Sequence, residues 1–330
     1  MKIRTASAAT VLLMASLAVT GCEVHGIGPQ AEGSFERTLQ VAAPADIDVQ
    51  TGAGGIQVRT GDGSTVRIFA RIRAGGSLFG GSDPQDKIRR LEKDPPIEQT
   101  GSVIRIGRIG DPDLRRNISI SYELVVPSET RLRASTGSGS QEIDGVRGPV
   151  TAHTGSGGIS LANIGGEVRA QTGSGSIKLD MVKGRVNAAT GSGGIHGSAI
   201  AGAIDAETGS GSIKMEQTAP GNVNVSTGSG GIEVSGMKGG LRARSGSGTI
   251  AVEGEPTGAW DVDVGSGNLR VRLPPAAAFD VHARSGSGGV TIDHPLSAEG
   301  VQSNKEKRGK VRGGGPMLNL RTASGSIHVQ

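Results

Sequence analysis

The residues of this 330-residue chain with types suited to chemistry are its glycine-rich loops and its scattered carboxylates and imidazoles. A Thr-Gly-Ser-Gly element, with Thr or Ser first, starts at 136, 154, 172, 190, 208, 227, 245, 285 and, with Ala323 in place of the first Gly, 322. A phosphate cradle would need Gly-Lys-Ser/Thr opening a helix, or G-x-G-x-x-G between strand and helix. Gly155, Gly157 and Gly158 instead lead straight into an apolar alternation with no lysine, so nucleotide binding is not expected. Calcium-binding nonads carry carboxylates in the turn, and these turns carry Ser. Acid–base cleavage of a polysaccharide would need Asp/Glu and Arg/Lys gathered round a groove. Asp144, Asp180, Asp205, Asp261, Asp263 and Asp293 read as falling in different registers. His196 and His328 share an outward register several coils apart, and His25, His153, His282 and His294 have no metal-ligand spacing. No serine has a paired base. The expectation is a protein that is not an enzyme and has no catalytic residue, cofactor or metal site.

Repetition explains the same glycines better. The first five copies are spaced by 18 residues, followed by spacings of 19, 18, 40 and 37, with Val264-Gly-Ser-Gly as a variant copy inside the 40. A fixed period of this length is the signature of a solenoid. Each unit splits into two nonads, as in Thr154-Gly-Ser-Gly-Gly-Ile159-Ser-Leu161-Ala162 followed by Asn163-Ile164-Gly-Gly-Glu-Val168-Arg-Ala170-Gln171. Each half is a turn followed by apolar-x-apolar, a short strand with one buried face. The fold class is therefore all-β: a parallel β-solenoid of 18-residue coils, two short strands per coil, with about ten or more coils and a length of about 50 Å. Ile159, Ile177, Ile195, Ile213, Ile232 and Ile250 form one inward wall. Val168, Val186, Ile204, Val223 and Leu241 form the other. Thr154, Thr172 and Thr190 turn toward the core where Val264 stands in the variant copy. Gly155, Gly157, Gly173, Gly175, Gly191 and Gly193 make the bend, through positive φ or close approach of backbones. The serines at 138, 156, 174, 192, 210, 229, 247 and 266 are read as turn residues, with a regular surface array as the other reading.

The composition agrees: 57 glycines and 2% aromatic residues rule out a conventional core of large side chains. Lys2 and Arg4 precede an apolar stretch from about Ala6 to Val19, too short for an ordinary spanning helix, which reads as an export signal. It ends in Val19-Thr20-Gly21-Cys22, which resembles the lipobox of bacterial lipoproteins. Cys22 is the only cysteine, so no intrachain disulfide is expected, and its expected role is lipidation. Glu23 after it, by resemblance to diderm sorting rules, favours the outer membrane. Removal of the leader lowers the net charge from +4 to +2, and no nucleic-acid partner is expected. The basic runs at Arg67 to Arg73, Lys87 to Arg90 and Lys305 to Lys310 read as solvated loop charge.

Gly54-Gly-Ile-Gln-Val58, the run Tyr122-Glu-Leu-Val-Val-Pro127 leading into Thr136-Gly-Ser-Gly, the serial units and the final Gly313-Gly-Gly-Pro-Met-Leu-Asn-Leu-Arg-Thr322 resemble the bacterial putative-adhesin family of β-strand-repeat domains of unknown function, over roughly residues 34 to 330. The resemblance implies a β-solenoid on an exported or membrane-anchored protein. The expected organisation is a signal peptide (1–21), lipidated Cys22 with a tether (22–33), an irregular N-terminal β region with a short helix after Asp83 that caps the stack (34–130), and the solenoid (131–330) with a loop insertion near 296–315. The expected function is a non-enzymatic, lipid-anchored cell-envelope module, structural or adhesin-like. Its partners are the membrane through Cys22 and a glycan or protein on the cell surface. A carbohydrate-binding or carbohydrate-active β-helix and an envelope-stress scaffold with a partner protein are the alternatives.

Overall fold

The computed structural model describes residues 30–76, 83–300 and 302–330. Strict two-residue alternation drives every regular strand: in Ile159–Ile164, Ile159 and Leu161 are buried while Ser160 is exposed. Neighbouring coils then stack in parallel with matched columns. Ile159 pairs with Ile177, Ile177 with Ile195, Ile195 with Ile213, Ile213 with Ile232 and Ile232 with Ile250. On the opposite wall Val168, Val186, Ile204, Val223 and Leu241 pair in turn. Each side chain thus packs on a near copy of itself about 4.8 Å away, so apolar contact continues along the axis although each coil contributes little volume. Ala170, Ala188 and Ala243 keep the two walls close. Trp260 is the largest buried side chain; it continues the Leu241 column and its Nε1 donates to the Gly239 carbonyl at 2.9 Å.

In four successive coils the corner between the two strands is made by a left-handed residue. Gly145 supplies it first (φ 82°), and Asn163, Met181 and Ala199 follow at φ 56°, 52° and 53°. In the 19-residue coil Gln217 comes one residue early and two extra residues follow it, so that Gln217 enters the buried column of Val182 and Ile200. Its Nε2 donates to the carbonyls of Gly202 and Gly221 at 3.1 and 3.2 Å, so the buried amide is partnered.

The coil Ala45–Thr51 and Ile56–Gly61 stacks directly on Thr130–Thr136 and Gln141–Asp144, so hydrogen bonding crosses residue 130 without a break. Beyond it, Ile118–Pro127 and Val103–Ile106 add one more parallel rung. The sheet then turns antiparallel through Thr65–Gly75 and Gln30–Gln40 on one wall and Ile97–Thr100 on the other. The helix Pro84–Lys93 starts at Asp83, whose side chain accepts from the Gln85 amide, and buries Ile88 and Leu91.

Serial stacking holds as far as Arg272 and then fails. The C-terminal coil, Met317–Ser324 and Ile327–Val329, is inserted between the coil at 260–272 and the coil at 279–292. Val264 therefore pairs with Thr322, and Thr322 with Ser285. Residues 296–315 are not plain loop: Glu306–Val311 runs antiparallel along Phe279–Ser285, and Leu296–Ala298 runs antiparallel along it in turn. Antiparallel strands thus cover both ends of the parallel stack, where unpaired edges would otherwise be exposed.

The basic runs are not loop charge. Arg67, Arg71 and Arg73 lie on the outward face of Thr65–Gly75, where Arg71 pairs with Glu123 and Arg73 with Glu32, each at 3.0 Å. Lys87 is buried in the helix, its Nζ donating to the carbonyls of Asp113 and Arg116 at 2.7 and 3.1 Å. A long side chain satisfies short-range carbonyls there, because the short helix Pro112–Arg115 ends against it.

Candidate functional site

The glycine-rich corners form the feature that sequence singled out, and they contain two different turns. In the first kind, Thr172 Oγ1 donates to the Gly157 carbonyl of the preceding coil at 2.8 Å and accepts from the Gly175 amide at 3.1 Å. Thr154 and Thr190 do the same with Gly139 and Gly157, and with Gly175 and Gly193. In the second kind the amide of the last glycine bonds along the stack instead: Gly230 to the Ser247 carbonyl at 2.8 Å, Gly248 to Ser266 at 2.9 Å and Gly267 to Ser324 at 2.7 Å. These glycines have φ of 151°, 139° and 149°. The strands of this kind run on through Gly-Ser, as in Val223–Ser229, whereas Val168–Thr172 stops at Thr. Thr227 and Ser245 then only donate, to Gly211 and Gly230 at 2.9 Å each. Val264 stands in a coil of this kind, where no turn amide needs a side-chain acceptor.

Close approach, not positive φ, fixes the glycines of the first kind. A Cβ at Gly157, Gly175 or Gly193 would lie 1.8–1.9 Å from the preceding coil's glycine carbonyl. At Gly155, Gly173 and Gly191 it would lie 2.4 Å from one. The serines between them are exposed, and their hydroxyls have no hydrogen bond among the described residues. The turn chemistry expected of Ser belongs to Thr.

Carboxylates are more ordered than their one-dimensional spacing suggested. Asp144 and Asp180 share one column with Ala162 between them, and Asp205 and Asp261 share another with Asn224 and Arg242 between them. Neither pair makes a catalytic dyad, since each carboxylate is two or more rungs from the next and is held by a neighbour. Asn163 donates to Asp144 and Ser198 to Asp180, both at 2.7 Å, and Asn224 donates to Asp205 at 3.1 Å. His196 and His328 do lie in one outward column. His328 is bonded to Asp293 at 2.7 Å and His282 to Glu306 at 2.9 Å, both beside the C-terminal cap. The His282 hydrogen bond is the first cause holding the Glu306 carboxyl below the usual carboxylate range. Burial pushes the Tyr122 phenol up, and its hydroxyl has no hydrogen-bond partner. Among the described residues no three His, Cys, Asp or Glu side chains gather as a metal site, and no helix is long and apolar enough to cross a membrane. Cys22 and the expected export signal lie outside the described residues.

An open groove of about 780 Å³ crosses the outer face of the wall that carries Ile177, Ile195, Ile213 and Ile232, from Ser176 to Thr249, bordered by Lys178, His196, Lys214 and Glu233. Sequence reasoning missed it because its floor is made of the residues just before each inward Ile, which were read only as turn.

Residues 166–330 match the family described as Toastrack DUF4097. The chain belongs to the Toastrack DUF4097 family. The matched segment begins inside the regular coils, and the same register continues upstream of it through Val150–Thr154 and Thr130–Thr136. Three solved structures are similar at 13% identity each. They are a putative cell adhesion protein from Clostridium sporogenes (TM-score 0.18, 90% of this chain and 99% of that one), a putative adhesin from Bacteroides fragilis (0.31, 90% and 97%) and a putative adhesin from Parabacteroides distasonis (0.33, 92% and 98%). No curated protein matches the sequence.

Proposed function

We propose that this Toastrack chain is a non-enzymatic, lipid-anchored module of the cell envelope that presents a rigid β-solenoid as a structural or adhesin-like surface. The observation that carries the reading is Cys22, the only cysteine, directly after the export signal and eight residues before the strand that begins at Gln30. Eight residues span at most about 29 Å, so the N-terminal cap stays near the lipid surface while the coils project from it. Several acyl chains on one Cys give a stable anchor. Glu23 in the following position, by resemblance to diderm sorting rules, favours the outer membrane in a diderm host. The repeated outward columns of the coils supply the presenting face, which suits binding a repeating surface partner better than turning over a small substrate.

Fractionation of Cys22→Ser tests the anchor: the variant is expected in the soluble envelope fraction, and retention in membranes refutes it. Adhesion is tested with cells displaying the wild-type chain, which are expected to bind a target surface that cells lacking it do not.

A further inference from the structure

The groove on the wall of Ile177, Ile195, Ile213 and Ile232 has a regular floor. The residue before each inward Ile alternates between glycine and a hydroxyl: Gly158, Ser176, Gly194, Ser212, Gly231 and Thr249. The fold does not demand those glycines. A Cβ at Gly194 would meet only the Ser212 carbonyl at 3.3 Å, and at Gly231 only the Thr249 carbonyl at 3.4 Å, where Gly193 next door would meet one at 1.9 Å. Neither has a positive φ. Side chains are therefore missing where the backbone would accept them, and the result is an open trough with a hydroxyl at every second rung.

One bank of the trough carries three basic side chains followed by Glu233. Lys178, His196 and Lys214 stand in register on three consecutive rungs and are exposed. Lys214 pairs with Glu233 at 3.0 Å, whereas Lys178 and His196 have no partner among the described residues. The glycines, the hydroxyls and the two lysines all recur every second coil, about 9.6 Å. An extended β-linked glycan presents the same face once per disaccharide, a repeat close to that distance. The whole trough covers four rung spacings, about 19 Å, or about two such disaccharides.

We infer that this trough binds a linear acidic polysaccharide carrying one carboxylate per disaccharide. The chain lies along the solenoid axis, its carboxylates against Lys178 and Lys214 and its rings over Gly194 and Gly231 between the Ser176, Ser212 and Thr249 hydroxyls. This names the ligand class of the adhesin-like reading and rests on it.

The test uses the full chain in detergent and calorimetric titration with a hyaluronan octasaccharide, which has a uronate on alternate sugars. N-acetylchitohexaose serves as the neutral probe and oligoglutamate of matched charge as the acidic peptide. The octasaccharide is expected to bind at least tenfold more tightly than either, with affinity falling as salt rises. The double variant Lys178→Glu/Lys214→Glu reverses two exposed charges, and Gly194→Gln fills the trough with the lysines intact. Each is expected to weaken binding at least tenfold with an unchanged far-UV spectrum. Absence of octasaccharide binding, or binding that neither variant alters, overturns the proposal, and oligoglutamate bound equally well makes the trough an acidic-peptide site instead. Cells that adhere equally with wild type and with the double variant leave the adhesin-like reading standing without the groove. Octasaccharide binding without adhesion or membrane retention does the reverse.

Discussion

Thr172→Val preserves side-chain shape and removes one hydroxyl, and the two kinds of turn give it a distinctive outcome. In the wild type that hydroxyl satisfies the Gly157 carbonyl and the Gly175 amide. Thr172 is 4% exposed, so the carbonyl loses its donor away from bulk water, while the half-buried Gly175 amide regains some solvation. A hydrogen bond contributes about 1 kcal/mol net, and a buried group left unpaired costs about 1–3 kcal/mol. For the two together about 2 kcal/mol is expected, which is roughly a 30-fold rise in local opening. Thr227→Val loses only the donor to Gly211, and the Gly230 amide keeps its bond to Ser247. Residue-resolved amide exchange is the suitable assay, because a stacked-coil protein opens locally and a global midpoint averages the effect away. Gly175 should exchange roughly 30-fold faster in Thr172→Val, and Gly230 should change less than about fivefold in Thr227→Val. Equal acceleration at the two glycines, or none at Gly175, refutes the distinction between the turns.

Gly175→Ala should open the stack locally and lower the denaturation midpoint, since its Cβ would meet the Gly157 carbonyl at 1.9 Å, whereas Gly158→Ser, with its nearest such contact at 3.6 Å, should leave the midpoint unchanged; chemical denaturation compares them. Met181 is 48% exposed at φ 52°, so Met181→Asn should raise the thermal midpoint by an amount equivalent to up to about 1 kcal/mol, measured by calorimetry. For Glu306, a depressed folded pKa means that its contribution is full above the unfolded carboxylate range and lost as pH falls through the folded value. Exchange protection of Glu306–Val311 should fall below about pH 4 and lose that acid step in Glu306→Gln.

The inward columns were legible because 18-residue spacing puts Ile159, Ile177 and Ile195 at one position of successive coils. The same arithmetic was available for Asp144 and Asp180, two periods apart, and was obscured by the Ala162 between them. The two kinds of turn were not legible, since Thr172-Gly-Ser-Gly and Thr227-Gly-Ser-Gly have the same residues and differ in the backbone of the last glycine. The insertion of the last coil was not legible either, because a period assigns each coil a shape and leaves its neighbour open. Buried Gln217 left one trace, the 19-residue spacing, and buried Lys87 left none, because its acceptors are backbone carbonyls that composition does not show.

The inserted C-terminal coil also bears on the order in which the coils can assemble. Leu320 lies between Val262 and Ala283, so the coil at 279–292 has no parallel partner until residues 317–329 have been made. The coils up to Arg272 can stack one on the next in chain order, but the distal end stays open until residues 317–329 pack into it. Without residues 317–329 the rod would lack an internal layer, leaving unpaired strand edges on both coils that flank it. The arrangement makes closure of the rod depend on a segment remote in sequence from one of its two neighbours, a dependence that simple end-to-end stacking would not create.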